Sequence, residues 1–334
     1  MTVTNPQIIK KVSNLSERNR PKTWDTVMGQ DDIKSSLREM IARYKKLGHM
    51  PPHLMFKGPS GTGKTTIAYI YANEFLEGGI KRDVNFFEFN GSDDRGIKVM
   101  QEKIKPLTRI VNIIIIFISE ADRLTDEAQG ALRRITELTQ NARFIFDLNE
   151  ENKIIDAMKS RCAEFTFRPL DEDHIIERIY QVFDAEGIKS TMDTEEENAI
   201  RHIIHTSRGD MRKIFNNLEK VITADKTINS QNILELNNSI NIVADCVKQA
   251  LAGDFDKAKN LIEDAYIMSG YSTDLLVDGF LDAIATTITN KELQVWAYIR
   301  LGELAHRLEN SRRPLCPLWS FVGELWRASY LKRQ

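Results

Sequence analysis

Gly58-Pro-Ser-Gly-Thr-Gly-Lys-Thr65 is the stretch on which the fold turns. It matches G-x-x-x-x-G-K-[ST] and lies between a short apolar run, 53–56, and a helical pattern over 65–76, the context this motif requires. Glycines at this spacing let backbone N–H groups turn inward around phosphate oxygens, and the helix that follows adds the positive end of its dipole. Lys64 then reaches the β and γ phosphates, and the Thr65 hydroxyl holds Mg²⁺. An ordinary glycine-rich turn is the bland alternative, and the strand and helix on either side argue against it. Candidate nucleotide contacts are therefore Gly58, Pro59, Ser60 and Gly61, followed by Thr62, Gly63, Lys64, Thr65 and Thr66.

Working outward, apolar runs at 53–56, 85–90, 113–118, 143–148 and 163–167 read as strands. Helical patterns separate them, including 127–139, where Ala131, Leu132, Ile135 and Leu138 share a face. Alternation of this kind predicts an α/β fold with a parallel sheet and crossover helices. The unbroken isoleucines of the third run imply burial on both faces, hence the middle of the sheet. A P-loop ATPase needs an acidic strand end about 50 residues beyond the loop. Ile113-Ile-Ile-Ile-Phe-Ile-Ser-Glu-Ala-Asp122 supplies it, with Glu120 placed to activate the attacking water. The preceding position, where a metal-holding Asp is expected, is Ser119, and a hydroxyl binds Mg²⁺ far more weakly than a carboxylate.

After Arg168 no further strand run appears. Pro169 and Asp171 open a helical segment, 175–183, that stops at Gly187; 194–205 and 211–221 follow, giving a small helical domain of about 60 residues. A linker reading falls on 224–229, and helices resume from about 230. The expected domains are thus 1–168, 169–229 and 230–334.

Across the 334 residues, 46 Lys and Arg face 48 Asp and Glu, a net charge of -2, so any polyanion must meet a local patch. Apolar residues at 42% and charged residues at 28% are a globular composition, not a disordered one. The N-terminal MTVTNPQIIKK has no signal-peptide core, and the apolar run at 113–118 is far short of the roughly 20 residues of a membrane span. Cys162, Cys246 and Cys316 are too widely spaced for a disulfide framework or a zinc site. A reducing cytoplasm is the expected compartment, with no structural metal.

Several motifs together resemble the small subunits of replication factor C, the archaeal and eukaryotic sliding-clamp loader of the AAA+ class. Glu17-Arg-Asn-Arg-Pro-Lys22 followed by Val27-Met-Gly-Gln30 is similar to the family's segment beside the adenine, which adds Val27 to the nucleotide contacts. Asn90-Gly-Ser-Asp-Asp-Arg-Gly-Ile97, Ser119-Glu-Ala-Asp122 and Ala131-Leu-Arg-Arg134 stand where the family has related motifs. Asn149 matches the first sensor, and Gly209-Asp-Met-Arg212 the second, with Arg212 reporting the γ phosphate from the lid. Ser160-Arg-Cys162 matches the motif whose arginine, here Arg161, reaches the neighbouring subunit's ATP. A guanidinium suits that task because it can stabilise spread phosphoryl charge.

The resemblance implies an AAA+ P-loop ATPase domain, a helical lid and a helical collar, with ATP and Mg²⁺ as cofactors. It implies as partners a sliding clamp of the PCNA type, primer–template DNA, and other small and large subunits in a pentameric ring, with no membrane. The location would be the cytoplasm, or the nucleus in a eukaryote. Arg95, Lys98 and Arg133 are the cations expected to meet DNA phosphates. The C-terminal aromatics Trp296, Trp319, Phe321, Trp326 and Tyr330 are expected mainly in the collar core.

Two readings of Ser119 stay open. Either this subunit binds ATP, donates Arg161 and hydrolyses little, or Asp147, two residues before Asn149 and on the same strand face, replaces the missing acid. Thr65, Glu120 through water, and Asp147 are then the candidate metal contacts. A third reading, a helicase or Holliday-junction motor with the same P-loop, is opposed by the Ser-Arg-Cys motif and the 90–97 loop.

Overall fold

The computed structural model describes residues 14–223, 228–229, 232, 238–268, 270–309 and 311–331. The expectations for the N-terminal eleven residues, for most of the 224–229 linker and for the Tyr330 side chain lie outside the described part. Contacts divide the chain into two compact units: the described residues up to Asp193 with Ile200–Glu219, and Thr194–Ala199 with those from Lys220 onward.

All five expected strands are present in the first unit, with ends shifted by a residue or so: β1 His53–Lys57, β2 Phe86–Asn90, β3 Ile114–Ser119, β4 Ala142–Leu148 and β5 Cys162–Thr166. They form one sheet in the order β2-β3-β4-β1-β5, every pair parallel. Ile114 to Ile118 are fully buried. The central strand is nevertheless β4, with β3 one place from the edge. A continuous apolar run reports cover on both faces, which every interior strand of a parallel sheet has, and not its rank in the sheet.

Helices α1 Asp31–Leu47, α2 Lys64–Phe75 and α3 Asp126–Leu138 belong to this unit. Local sequence sets their ends. Gly48 closes α1 at φ 69° with Lys45 and Lys46 in the last turn. Thr125 caps α3 by accepting from the Ala128 N–H, ahead of Asp126 and Glu127. One face of the sheet buries Leu54, Phe56, Ile115, Phe117 and Ile145 against Ile67, Tyr71 and Phe75 of α2 and Leu37 and Ile41 of α1. The other buries Met55, Ile116, Phe144 and Phe146 against Leu132 and Ile135 of α3. Between β2 and β3 run three short helical pieces, Ile97–Val99, a π-turn Met100–Ile104, and Lys105–Leu107.

The expected helices after the sheet are α4 Glu172–Glu186, α5 Thr194–Thr206 and α6 Met211–Thr223. Asp171 stands at the start of α4 and Gly187, at φ 68°, ends it.

In the second unit, α7 Asn238–Ala252, α8 Phe255–Ile267, α9 Thr273–Thr287, α10 Lys291–Glu309 and α11 Leu315–Leu331 enclose a core of Val247, Ala258, Ile262, Phe280, Leu301 and Leu325. Phe321 is buried, while Trp296, Trp319 and Trp326 pack half-buried on that core. Trp326 Nε1 donates to Gly253 O at 3.0 Å, and the Lys259 ammonium lies 4.7 Å from the Trp319 ring centre. Ile299 of α10 is 59% exposed. Among the described residues, no helix is long and apolar enough to cross a membrane.

Candidate nucleotide site

Parallel strands deliver their carboxyl ends to one edge of the sheet, and a cavity of ≈ 440 Å³ opens there within the first unit. Its floor is the P-loop. Gly58, Gly61 and Gly63 hold φ values of 146°, 74° and 95°, which turn the backbone around the cavity. Thr62 ties the loop to itself by donating to Pro59 O at 2.9 Å. Ser60 to Thr66 line the cavity, as does Val27; Gly58 and Pro59 are not among the lining residues, and their carbonyls accept from the Lys64 ammonium.

Lys64 is buried, and its ammonium donates to Gly58 O at 2.8 Å, Pro59 O at 2.9 Å and Asn149 Oδ1 at 2.9 Å. Asp147 Oδ1 lies 3.6 Å away, while the Thr65 hydroxyl donates to Asp147 Oδ2 at 2.6 Å. Burial lowers the Lys64 pKa and raises that of Asp147, each charge partly pulling the other back. Thus the P-loop lysine and threonine, Asp147 and the residue matched to the first sensor, Asn149, converge on one edge of the cavity.

Glu120 also lines the cavity. Its backbone is left-handed, at φ 51°, and its carboxylate accepts from the Ser92 hydroxyl. Gly91 makes this turn possible, since a Cβ there would press on the Glu120 backbone, 2.9 Å from its carbonyl carbon. Ser119 Oγ donates to Phe89 O at 3.3 Å. Asp122 is buried and accepts from the Asn149 N–H at 3.4 Å, joining the ends of β3 and β4.

From α6, Met211, Arg212 and Phe215 line the cavity. Asp210 caps that helix, accepting from Arg212 N at 2.9 Å and Lys213 N at 3.2 Å, and its Cα is 2.8 Å from where a Gly61 Cβ would stand. The loop and the helix carrying Arg212 therefore touch only because residue 61 is glycine.

Arg161 is not among the cavity's lining residues. It precedes β5, at the amino ends of the strands, half exposed, and donates to Glu137 Oε1 at 2.8 Å. Arg133, one turn earlier on α3, shares that carboxylate at 3.7 Å. Arg95 and Lys98 are exposed, Arg95 preceding the helical pieces and Lys98 within the first.

Tyr69, Glu88 and Arg178 line the cavity and escaped the sequence reading. Tyr69 OH donates to Glu88 Oε2 at 2.6 Å, Arg82 donates to both, and burial with the Glu88 charge pushes the tyrosine up to about 12. Tyr69 lies one helical turn beyond Thr65, so extending the α2 face would have found it. Arg178 donates to Asn19 O at 2.8 Å, and burial lowers its pKa. Nothing local in the sequence marks it.

Behind the site, Gln129 is buried in α3. It donates to Leu124 O at 3.2 Å and Lys153 O at 2.9 Å, and accepts from Ile155 N at 2.9 Å, pinning the segment that runs from Asn149 to Arg161. Gln129→Leu orphans three backbone groups and is expected to destabilise the protein by about 3 kcal/mol in urea unfolding.

Residues 54–170 match the family described as ATPase family associated with various cellular activities (AAA). Over 317 residues the chain is 35% identical to the replication factor C small subunit of Archaeoglobus fulgidus, covering 92% of this chain and 96% of that protein. The chain belongs to the replication factor C small-subunit family. Its likeness to the Methanosphaera stadtmanae replication factor C small subunit is 34% over 319 residues, covering 92% and 96% of the two chains. Among solved structures, the Thermotoga maritima RuvB Holliday junction branch migration motor superposes with a TM-score of 0.54 at 20% identity, covering 69% of this chain and 78% of that one. A RuvB variant reaches a TM-score of 0.57 at 18% identity, covering 80% and 91%. That likeness is one of fold, the AAA P-loop ATPase fold, which the replication factor C family shares with other motors.

Proposed function

We propose that the chain binds MgATP in the P-loop cavity and acts as a small subunit of a clamp loader that places a sliding clamp on primer–template DNA. The observation that carries this reading is a division of labour. Lys64, Thr65, Asp147 and Asn149 converge on the chain's own cavity, while Arg161 stands away from it at the other end of the sheet.

In this reading the P-loop N–H groups and Lys64 bind the phosphates, and Arg212 reaches them from a helical lid. Glu120, held by the Ser92 hydroxyl, accepts the proton of the attacking water, which the Asn149 amide orients. The cation of MgATP neutralises phosphate charge; the Thr65 hydroxyl and the carboxylate beside it are oxygen donors of the kind it takes. Arg161 serves the neighbouring subunit's nucleotide in a ring closed by helical collars over 230–334. Arg95 and Lys98, with Arg133, follow DNA phosphates without reading bases, so binding weakens with salt.

Arg161→Ala is expected to leave the chain's own nucleotide affinity within about twofold while lowering turnover of the assembled, clamp- and DNA-stimulated complex at least tenfold. An equal loss of affinity would place Arg161 in its own site and sink the ring reading. Unchanged loading of a clamp on primed DNA by a complex lacking this subunit would refute the clamp-loader role.

The Ser119 side chain, turned to Phe89 O, favours a second reading in which the subunit binds nucleotide and donates Arg161 with little hydrolysis of its own. Background turnover in a complex whose other sites are disabled would establish that reading.

A further inference from the structure

The ladder between β3 and β4 runs in step from Ile114 beside Ala142 to Ile118 beside Phe146. Carried one residue further, the same register sets Ser119 beside Asp147, and in-register residues of a parallel pair emerge on the same face. Their side chains end differently. Ser119 Oγ points to Phe89 O on β2, away from β4, at 3.3 Å. Asp147 points to the P-loop helix, with Thr65 Oγ1 on Oδ2 at 2.6 Å and Lys64 Nζ 3.6 Å from Oδ1.

Resting on the nucleotide-site reading above, we infer that Asp147 on β4 is this chain's metal-side carboxylate, holding the divalent cation of the nucleotide together with the Thr65 hydroxyl. The role that the resemblance assigns to position 119 has moved one strand across. The donors fit the ion. Mg²⁺ takes hard oxygen ligands, commonly one or two carboxylates completed by substrate phosphates and water. Among the described residues no group of three His, Cys, Asp or Glu forms a protein-only cage, and such an ion needs none. A second acid at 119 would set two like charges on neighbouring strands about 5 Å apart, so one carboxylate at either position is the economical arrangement. The rival role for Asp147 is to serve only as the counter-ion of Lys64.

A four-variant comparison separates these roles. Full-length wild type, D147N, S119D and S119D/D147S would be titrated with a non-hydrolysable ATP analogue, by calorimetry in EDTA and by electron paramagnetic resonance of bound Mn²⁺. D147N is expected to weaken Mn²⁺ in the ternary complex at least tenfold while metal-free affinity stays the same or rises, because an anion beside the phosphates has gone. S119D/D147S is expected to recover Mn²⁺ affinity to within threefold of wild type, and S119D alone to gain no more than threefold. Equal losses with and without metal in D147N would leave Asp147 a counter-ion and overturn the inference. So would a tenfold gain from S119D alone, which also decides the matter if D147N does not fold. Failure of the wild type to bind the analogue in either condition would overturn the nucleotide-site reading, and this inference with it.

Discussion

Gly58→Ala is expected to destabilise the sheet-bearing unit by about 3–5 kcal/mol and to abolish detectable nucleotide binding. Gly58 leaves β1 at φ 146°, with its N–H on Leu148 O of β4 at 3.3 Å. A Cβ there would strike the Phe167 carbonyl, 3.1 Å from its carbon, while the Phe167 N–H holds Lys57 O at 2.7 Å. Neither neighbour is a flexible tip, so backbone must shift on the β4 or β5 side of β1. Overpacking of this kind costs about 1–3 kcal/mol and the disfavoured dihedral about 1–3 more. Gly63→Ala is the internal comparison. Its φ is 95°, but nothing lies within 4 Å of the added carbon, so dihedral strain alone, about 1–2 kcal/mol, is expected. Urea midpoints of the two variants, measured together, should differ in that order; equal midpoints would refute the steric argument.

The second large effect is a loss of stability in mild acid. His53, at the start of β1, is buried, with Nδ1 accepting the Phe144 N–H at 3.1 Å and Nε2 facing Thr136 O at 3.2 Å. Burial drives its pKa from 6.5 down to about 4, with Arg143 adding to the shift and the Thr136 carbonyl opposing it. Below pH 6.5 the unfolded chain takes up a proton that the folded chain refuses until about pH 4. Stability therefore falls with pH across that window, and at about 1.4 kcal/mol per pH unit roughly 3 kcal/mol is lost. His53→Gln keeps an acceptor and a donor without a titrating ring. Its unfolding free energy should lose roughly 2.5 kcal/mol less than wild type between pH 7 and pH 4.5; parallel losses would show that other groups carry the acid response.

How far the sequence carried the structure depended on the range of the signal. The five strands and the helices α2, α3 and α4 were legible because apolar runs, helical spacing and Gly187 act within a few residues of themselves. The pairing of Asp147 with Asn149 on one face followed from strand alternation, and their common partner Lys64 bears it out geometrically. Gln129, His53 and Glu137 gave no sequence signal, since their partners Lys153, Phe144 and Arg161 lie 24 to 91 residues away in the chain and only the fold brings them close.

The step-for-step ladder between β3 and β4 also bears on how such a site can be rewritten. Positions that share a face on neighbouring parallel strands are close to interchangeable supports for one carboxylate, so an acid can pass between them by two single substitutions. The passage through acids at both positions is the open route: a bound cation between them offsets their repulsion, whereas the passage through neither leaves the phosphates without a metal-side anion. On the inference that Asp147 holds the cation, a sheet that sets positions 119 and 147 side by side gives the site a two-step path for exchanging its acid, which a loop-borne carboxylate would lack.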